Sequence, residues 1–315
     1  MKINKSIQFF KHPESDSETD FVIQPDSLLD KNSGKEYQIL GNMVDILGTF
    51  DEAIPEHKKG VMFALNAFYS HRVDPWILST IFAGGGIGFI KADRKLKRWI
   101  DEYLSENDVL FIEPENQRHL SFVDPDKCLS VKDYSQKNVE PLPEEYPDLN
   151  ASPQQLPIRS SSFHSVISNF VFEHITHPRL HLQEIARILK PGGYAIITGP
   201  GDVYPSHKVP YNYFNIIRYG YHEMFRENDL ELVMEHFPAR SWMSILYLVY
   251  ITTVRNSWFN TNQFTKLLHM VVFGLSTVVF PPLNLLAVLL DLMTPFDKRV
   301  YGIYMAVIKK PIGGG

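Results

Sequence analysis

Two groups of polar residues in the middle of the chain have types and positions that suit chemistry. Asp133 ends the predicted strand 127–133, and an acidic side chain at the carboxyl end of a strand can accept hydrogen bonds from both hydroxyls of a ribose. Glu173 and His174 place a carboxylate beside an imidazole, which suits proton transfer near neutral pH. Each group has a simpler interpretation. Asp133 could be a turn residue, and we favour packing and capping of the next helix for Glu173 and His174.

The elements around these residues form a strand, a helix and a second strand. An apolar run ends at Ser168-Asn169, and apolar residues then recur at helical spacing from Leu182 to Leu189. Pro191-Gly192-Gly193 stops the helix before another apolar run. This order predicts a βαβ unit of a parallel sheet, in which residues 169–171 line the cleft at the carboxyl ends of the strands.

The amino-acid sequence of this unit resembles the second half of the class I S-adenosylmethionine-dependent methyltransferases, in the methyltransferase type 11 group. Four segments carry the resemblance in the order and spacing of that family: 156–158 (Leu-Pro-Ile), 163–168 (Phe-His-Ser-Val-Ile-Ser), 172–174 (Phe-Glu-His) and 184–193 (Glu-Ile-Ala-Arg-Ile-Leu-Lys-Pro-Gly-Gly). The resemblance implies a Rossmann-like α/β sheet with helices on both faces, and S-adenosylmethionine as cofactor. Earlier strands are then expected at 108–112 and 127–133. The residues expected at the cofactor are Ile112, Glu113, Asp133, Tyr134, Ser152, Asn169, Phe170 and Val171.

The chain departs from the family pattern where that pattern binds the cofactor. The glycine turn after the first strand is replaced by Glu113-Pro114-Glu115-Asn116, and proline removes a backbone donor there. The acid that faces adenine in the family is missing near Ser152, and His164 stands where an aspartate is usual. These changes favour a second hypothesis, a pseudo-methyltransferase that has lost the cofactor and serves as a binding or scaffold subunit for a protein partner. No catalytic residue is assigned, and His174 is a weak candidate.

The segment 83–88 (Ala-Gly-Gly-Gly-Ile-Gly) is the most glycine-rich in the chain. Glycines can let backbone N–H groups approach a nucleotide, so this segment is an alternative cofactor loop. The interpretation that we favour is a flexible turn. An NAD-dependent enzyme is a weaker alternative, because no Gly-x-Gly-x-x-Gly follows a first strand.

A second resemblance covers 205–225, which is similar to a segment of a bacterial methyltransferase subgroup associated with glycan or lipid modification. It implies that His207, Tyr211 and Tyr213 face the acceptor, although these aromatic residues could simply cover the sheet. The expected acceptor is a small, glycan-linked or lipid-linked molecule.

The N-terminal segment resembles the small zinc-ribbon domain found ahead of some bacterial methyltransferases. The four zinc positions of that domain would fall at His12, Ser15, Asp30 and Ser33, a poor set of donors for zinc. We therefore expect a relic used for packing, with no metal.

The apolar stretch 267–290 is close to the length that spans a bilayer. Pro281-Pro282 interrupts it, which predicts two short helices joined by a bend. They could form a core cap, a dimer interface or a hairpin that contacts a membrane peripherally.

Composition limits the other classes. The net charge is −5, and the basic segment 91–98 is predicted to be the solvated face of a helix, so we expect no nucleic-acid partner. One cysteine, Cys128, excludes an intrachain disulfide. The first residues contain no apolar signal core, so the expected location is the cytoplasm, with membrane association as an addition.

The predicted organisation follows from these segments. It comprises a β-rich ribbon-like segment (1–50), a helical linker (51–107), the α/β domain (108–255), an apolar helical insertion (256–295) and a terminal strand of the α/β domain (296–312).

Overall fold

The computed structural model describes residues 9–11, 20–40, 43–48, 83–104, 108–112, 117–133, 148–204, 212–255 and 263–313. Several predicted site residues lie outside the described residues: Glu113, Tyr134, His207 and Tyr211. His12 and Ser15 of the ribbon-like segment also lie outside them.

A single mixed sheet of eleven strands forms the centre of the protein. The strands are β1 (Phe21–Ile23), β2 (Ser27–Asp30), β3 (Glu36–Leu40), β4 (Met43–Asp45), β5 (Val109–Ile112), β6 (Cys128–Lys132), β7 (Leu149–Asn150), β8 (Phe163–Asn169), β9 (Leu189–Pro200), β10 (Glu231–His236) and β11 (Ile303–Lys309). Their order across the sheet is β1-β2-β3-β4-β7-β6-β5-β8-β9-β11-β10. Strands β7, β6, β5, β8 and β9 are parallel, whereas β11 is antiparallel to both β9 and β10. The predicted α/β fold is confirmed.

Helices cover both faces of the parallel strands. They are α1 (Ile87–Tyr103), α2 (Gln117–Leu120), α3 (Pro178–Ile188), α4 (Arg218–Glu227), α5 (Ser241–Tyr250) and α6 (Gln263–Met293). Because side chains alternate along a strand, Leu110 and Ile112 of β5 join the core beneath α3, and Val109 and Phe111 join the core beneath α1. Covered on both faces, β5 is buried at every position, as its continuous apolar run requires.

Helix α3 has the periodicity predicted from the sequence. His181, Leu182, Ile185 and Ile188 are buried, and the helix carries a proline in its first turn, where no backbone donor is lost. The next strand, β9, begins at Leu189 and runs through the Pro-Gly-Gly, so the glycines lie within the strand and not before it. Gly192 has φ +81°, a conformation that a residue with a Cβ adopts only at a cost.

The N-terminal strands extend the same sheet. Strands β1 to β4 pair antiparallel in succession, and β4 pairs in parallel with β7. The contact is fixed by the amide of Asn150, which donates to Asp45 at 2.7 Å. The strands of the ribbon-like segment are therefore part of the same sheet as the strands of the α/β domain.

The prediction of two short helices in the apolar stretch is wrong. One helix of 31 residues, α6, contains both Pro281 and Pro282. Two adjacent prolines remove two neighbouring backbone donors. This local loss is offset because α6 packs along α5, with Phe280 against Tyr250 before the prolines and Asp291 bonded to Trp242 after them.

Candidate functional site

Strand register brings the predicted residues to one edge of the sheet. Ile112 pairs with Val131 on one side and with Ser168 on the other, and Lys132 pairs with Asn150. Asp133 and Asn169 follow directly after these pairs. The carboxyl ends of β5, β6, β7 and β8 therefore meet where open α/β sheets bind ligands.

Among the predicted site residues that the structure describes, Phe170 alone has a strained backbone. Its φ is +52°, the left-handed region that bulky residues seldom occupy. Thr198 of β9 holds it there, because the Phe170 N–H donates to the Thr198 Oγ1 at 3.0 Å and the Thr198 carbonyl at 3.2 Å. Strain that is held by neighbours in this way is typical of functional sites.

A buried chain of hydrogen bonds continues from Thr198 into two helices. The Thr198 hydroxyl donates to Asn169 Oδ1 at 2.8 Å, and Asn169 Nδ2 lies 3.5 Å from His119 Nδ1. His119 Nε2 lies 3.1 Å from Asp93 Oδ1. With the ring proton on Nε2, each link has one donor and one acceptor. The chain fixes the Asn169 side chain and ties α1 and α2 to the carboxyl ends of β8 and β9.

A cavity of about 40 Å³ opens beside this chain. Its lining residues are Phe89, Ala92, Asp93, Leu96, His119, Asn169, Phe170, Thr198, Ile303 and Met305. The volume suits two or three water molecules. A nucleotide-sized molecule would therefore bind across the open edge of the sheet and only reach into this cavity.

Sequence reasoning missed Asp93, His119 and Thr198. Asp93 was included in the basic segment that was predicted to be solvated, yet it lies on the buried face of α1 with Leu96 and Ile100. The helical spacing of these residues could have identified it. No comparable signal in the sequence marks His119, which lies in a helix of four residues.

His181 fastens the loop after β7 to the end of β8. Its ring is fully buried, with Nε2 2.8 Å from the Ser168 hydroxyl and Nδ1 2.8 Å from the Pro153 carbonyl. Burial lowers the pKa of His181 to about 4, although the Pro153 carbonyl and Glu184 oppose that shift. The ring is therefore neutral near pH 7, with its Nδ1–H donated to Pro153.

The loop that His181 fastens contains Ser152. Its hydroxyl accepts the Gln154 N–H at 3.3 Å, and its carbonyl accepts the Gln155 N–H at 3.1 Å. The Gln154 side chain accepts the His177 N–H at 2.9 Å. Ser152 is thus held in a defined turn beside the edge that Asp133 and Asn169 share.

The remaining predicted residues lie in different surroundings. The side chains of Ile112 and Val171 are buried in the core, so only their backbone could face a ligand. Glu173 is buried, and His174 Nε2 is 3.8 Å from its carboxylate. The Glu173 carbonyl accepts the N–H of Tyr213, whose side chain is half exposed. Glu173 and Tyr213 therefore lie together near the carboxyl end of β8.

The glycine-rich segment is a buried turn that packs against α5 and α6. Gly84, Gly85 and Gly86 are buried, and a Cβ on Gly84 would lie 2.4 Å from Phe280 of α6. The Gly85 N–H donates to the Asn284 side chain at 2.7 Å. The glycines serve the close packing of α5 and α6 against the start of α1.

Two of the four positions that correspond to zinc ligands in the ribbon domain are described, Asp30 and Ser33. Asp30 is buried, and its carboxylate accepts the Asn32 N–H at 2.9 Å and the Ser33 hydroxyl at 2.7 Å. Within the described ranges, no group of three His, Cys, Asp or Glu side chains could hold a metal ion.

Comparison with known proteins gives a family for the central segment. Residues 118–197 match the family described as methyltransferase domain. No curated protein is similar in sequence to the chain.

Solved structures of similar shape were also found. The chain is similar to the cyclase SpnF at 12% identity, with 70% of this chain and 82% of that chain covered and a TM-score of 0.41. It is also similar to an S-adenosylmethionine-dependent methyltransferase from Archaeoglobus fulgidus at 11% identity, with 70% of this chain and 93% of that chain covered and a TM-score of 0.40. A third similar structure is phosphoethanolamine N-methyltransferase 2 from Haemonchus contortus in complex with S-adenosylmethionine. The identity is 13%, 69% of this chain and 52% of that chain are covered, and the TM-score is 0.39.

The family match covers the segment in which the sequence motifs were found, and the strand order places that segment in a sheet of the expected kind. Residues 118–197 therefore match the methyltransferase domain family, and the sheet around them has the Rossmann-like α/β form expected of the class I methyltransferases.

Proposed function

We propose that this protein is an S-adenosylmethionine-dependent methyltransferase that holds its cofactor across the carboxyl ends of β5 to β8. The observation that carries the proposal is the strained Phe170, which Thr198 and Asn169 hold at that edge. Strain of this kind costs about 1–3 kcal/mol and persists where the surroundings impose it.

The residues at the edge fit an adenosyl group. Asp133 supplies a carboxylate for the two ribose hydroxyls, and the turn at Ser152 supplies polar groups for the base. When bound, S-adenosylmethionine supplies an electrophilic methyl group. Transfer of such a group depends mainly on alignment and on a dry pocket. Asn169 is fixed for alignment, and the Phe170 and Tyr204 rings, 6.1 Å apart, exclude water.

Aromatic contacts support a lipid-linked or glycan-linked acceptor. Tyr204 is also 6.0 Å from Tyr247 of α5, which is 5.2 Å from Phe89 at the cavity. Rings therefore connect the cleft to the apolar helix α5, and an acyl or isoprenoid chain would find hydrocarbon there. By the second resemblance we assign Tyr213, His207 and Tyr211 to the polar part of the acceptor, and the half-exposed side chain of Tyr213 supports this role.

Calorimetric titration with S-adenosylmethionine and S-adenosylhomocysteine tests the proposal. We expect saturable binding by the native protein. Asp133→Ala should bind about a hundredfold more weakly, because it loses two charge-assisted hydrogen bonds. Asp101→Ala changes an exposed aspartate of α1 and is the matched control, with unchanged affinity.

Absence of binding at saturating ligand, by a sample whose thermal unfolding is cooperative, would contradict the proposal. That result would favour the alternative function, a scaffold subunit without cofactor. The replaced glycine turn at 113–116 is the feature that favours this alternative. Equal affinity of the native protein and Asp133→Ala would place the ribose elsewhere.

A further inference from the structure

Helix α6 is amphipathic, but it buries polar residues and exposes apolar ones. Where its side chains are described, within 271–293, the buried residues follow one another at helical spacing: Ser276, Phe280, Asn284, Ala287 and Asp291. Ser276, Asn284 and Asp291 are polar. Its exposed face is apolar and also keeps helical spacing: Val271, Leu275, Val278, Val279, Leu285, Leu286, Leu289, Leu292 and Met293. A surface helix in water shows the opposite arrangement, with polar residues outward.

The buried polar residues fasten α6 to the rest of the protein. Asn284 accepts the Gly85 N–H at 2.7 Å and donates to the Ala83 carbonyl at 2.9 Å. Asp291 accepts the backbone N–H groups of Trp242 and Met243 at 2.9 and 3.4 Å, and so caps α5. The polar side chains are therefore used inward, and the outward face consists of hydrocarbon.

Helix α5 enlarges the exposed hydrocarbon surface. It packs along α6, and its exposed residues Trp242, Ile245 and Val249 recur at helical spacing. The Trp242 indole donates to the Thr294 hydroxyl at 3.0 Å at the end of α6. Tryptophan with an apolar body and a bonded N–H is enriched where a protein meets the interface of a membrane.

The chemistry of this surface fits lipid better than protein. Gly274–Met293 has a mean hydropathy of 1.8, and only 28% of it is buried. Its single charged residue, Asp291, faces inward. The hydroxyl of Thr277 is satisfied by the Gly274 carbonyl at 2.7 Å. A protein partner would normally find about one hydrogen bond per 100–200 Å² of interface, whereas acyl chains require none.

We propose that α5 and α6 dock the protein on a lipid bilayer by sinking their shared apolar face into one leaflet. Phe280, Asn284 and Asp291 hold α6 against α5 and the turn before α1, which favours a helix that lies along the membrane over one that crosses it. The helices therefore lie in the plane of the membrane, at a depth of about 5–10 Å. This docking does not depend on the methyltransferase activity.

Vesicle flotation tests the docking directly. Native protein should float with phosphatidylcholine vesicles, and Leu285→Glu combined with Leu289→Glu should reduce the partition coefficient at least about tenfold, because a carboxylate in the apolar layer is costly. Both positions are more than half exposed, at 64% and 56%, so the fold should persist. Leu180→Glu changes an exposed leucine of α3 and is the matched control, with flotation unchanged.

A second measurement does not depend on those variants. A fluorophore attached at Leu292→Cys should be quenched by vesicles with brominated acyl chains, and the same label at Leu180→Cys should not. Cys128 is buried and should not react with the label.

Three results would overturn the proposal: native protein that stays soluble and does not float, variants that float equally, or labels that are quenched equally. A stable dimer that does not bind vesicles, and that the double glutamate variant converts to a monomer, would assign the face to a second copy of the chain.

Discussion

Helices α3 and α6 use the same periodicity in opposite directions. Helix α3 buries Leu182 and Ile185 and exposes Arg179, whereas α6 buries Asn284 and Asp291 and exposes leucines. Helical spacing tells which residues share a face but not which medium that face meets. The contacts of the polar residues show which face is turned towards the protein. In α6 the polar face is turned inward and the apolar face is exposed.

The largest expected effect on stability comes from truncating one leucine in each of the two helices. Leu182→Ala should lower the free energy of unfolding by about 3 kcal/mol, because it leaves a cavity beneath α3. Leu289→Ala should change it by less than about 0.5 kcal/mol in water, because its side chain is exposed. Denaturant titration of both variants measures the difference.

Equal losses in the two variants would contradict the contrast between the helices. A large loss for Leu289→Ala would mean that α6 is covered by protein in solution. Truncation at Leu289 should instead weaken vesicle binding, because the variant buries less hydrocarbon in the bilayer.

A smaller effect concerns the buried histidine of α3. Folded His181 takes up a proton near pH 4, whereas the unfolded chain takes one up near 6.5. The unfolded state therefore binds more protons between these values, and stability is lost as the pH falls from 6.5 towards 4. From about pH 6.5 to pH 5 the contribution is about 2 kcal/mol.

His181→Gln should flatten this pH dependence. His236 must be controlled for, because burial and the nearby Lys95 and Arg240 also lower its pKa to about 4. In a His236→Gln background the remaining slope belongs to His181. An unchanged slope in His181→Gln would contradict the assignment of a neutral buried ring.

The sheet was the most predictable part of the molecule. The runs 108–112 and 163–168 are apolar and rich in β-branched residues, and their strands lie where the sequence indicated. The carboxyl edge followed, because parallel strands end together and bring Asp133 and Asn169 to the same edge.

The polar chain and the direction of α6 could not be predicted in the same way. His119 gains its role from Asp93 and Asn169, which are distant in sequence, and no local pattern records that meeting. Pro281-Pro282 indicated a break, and local propensity was overridden by packing along α5.

Amide hydrogen exchange with and without S-adenosylhomocysteine tests the central claim, that the cofactor lies across the carboxyl edge of the sheet. The account predicts slower exchange at 148–154 and 169–171 and no change in the buried glycine turn at 83–88. Protection confined to the glycine turn, or protection nowhere in the described residues at saturating ligand, would contradict it.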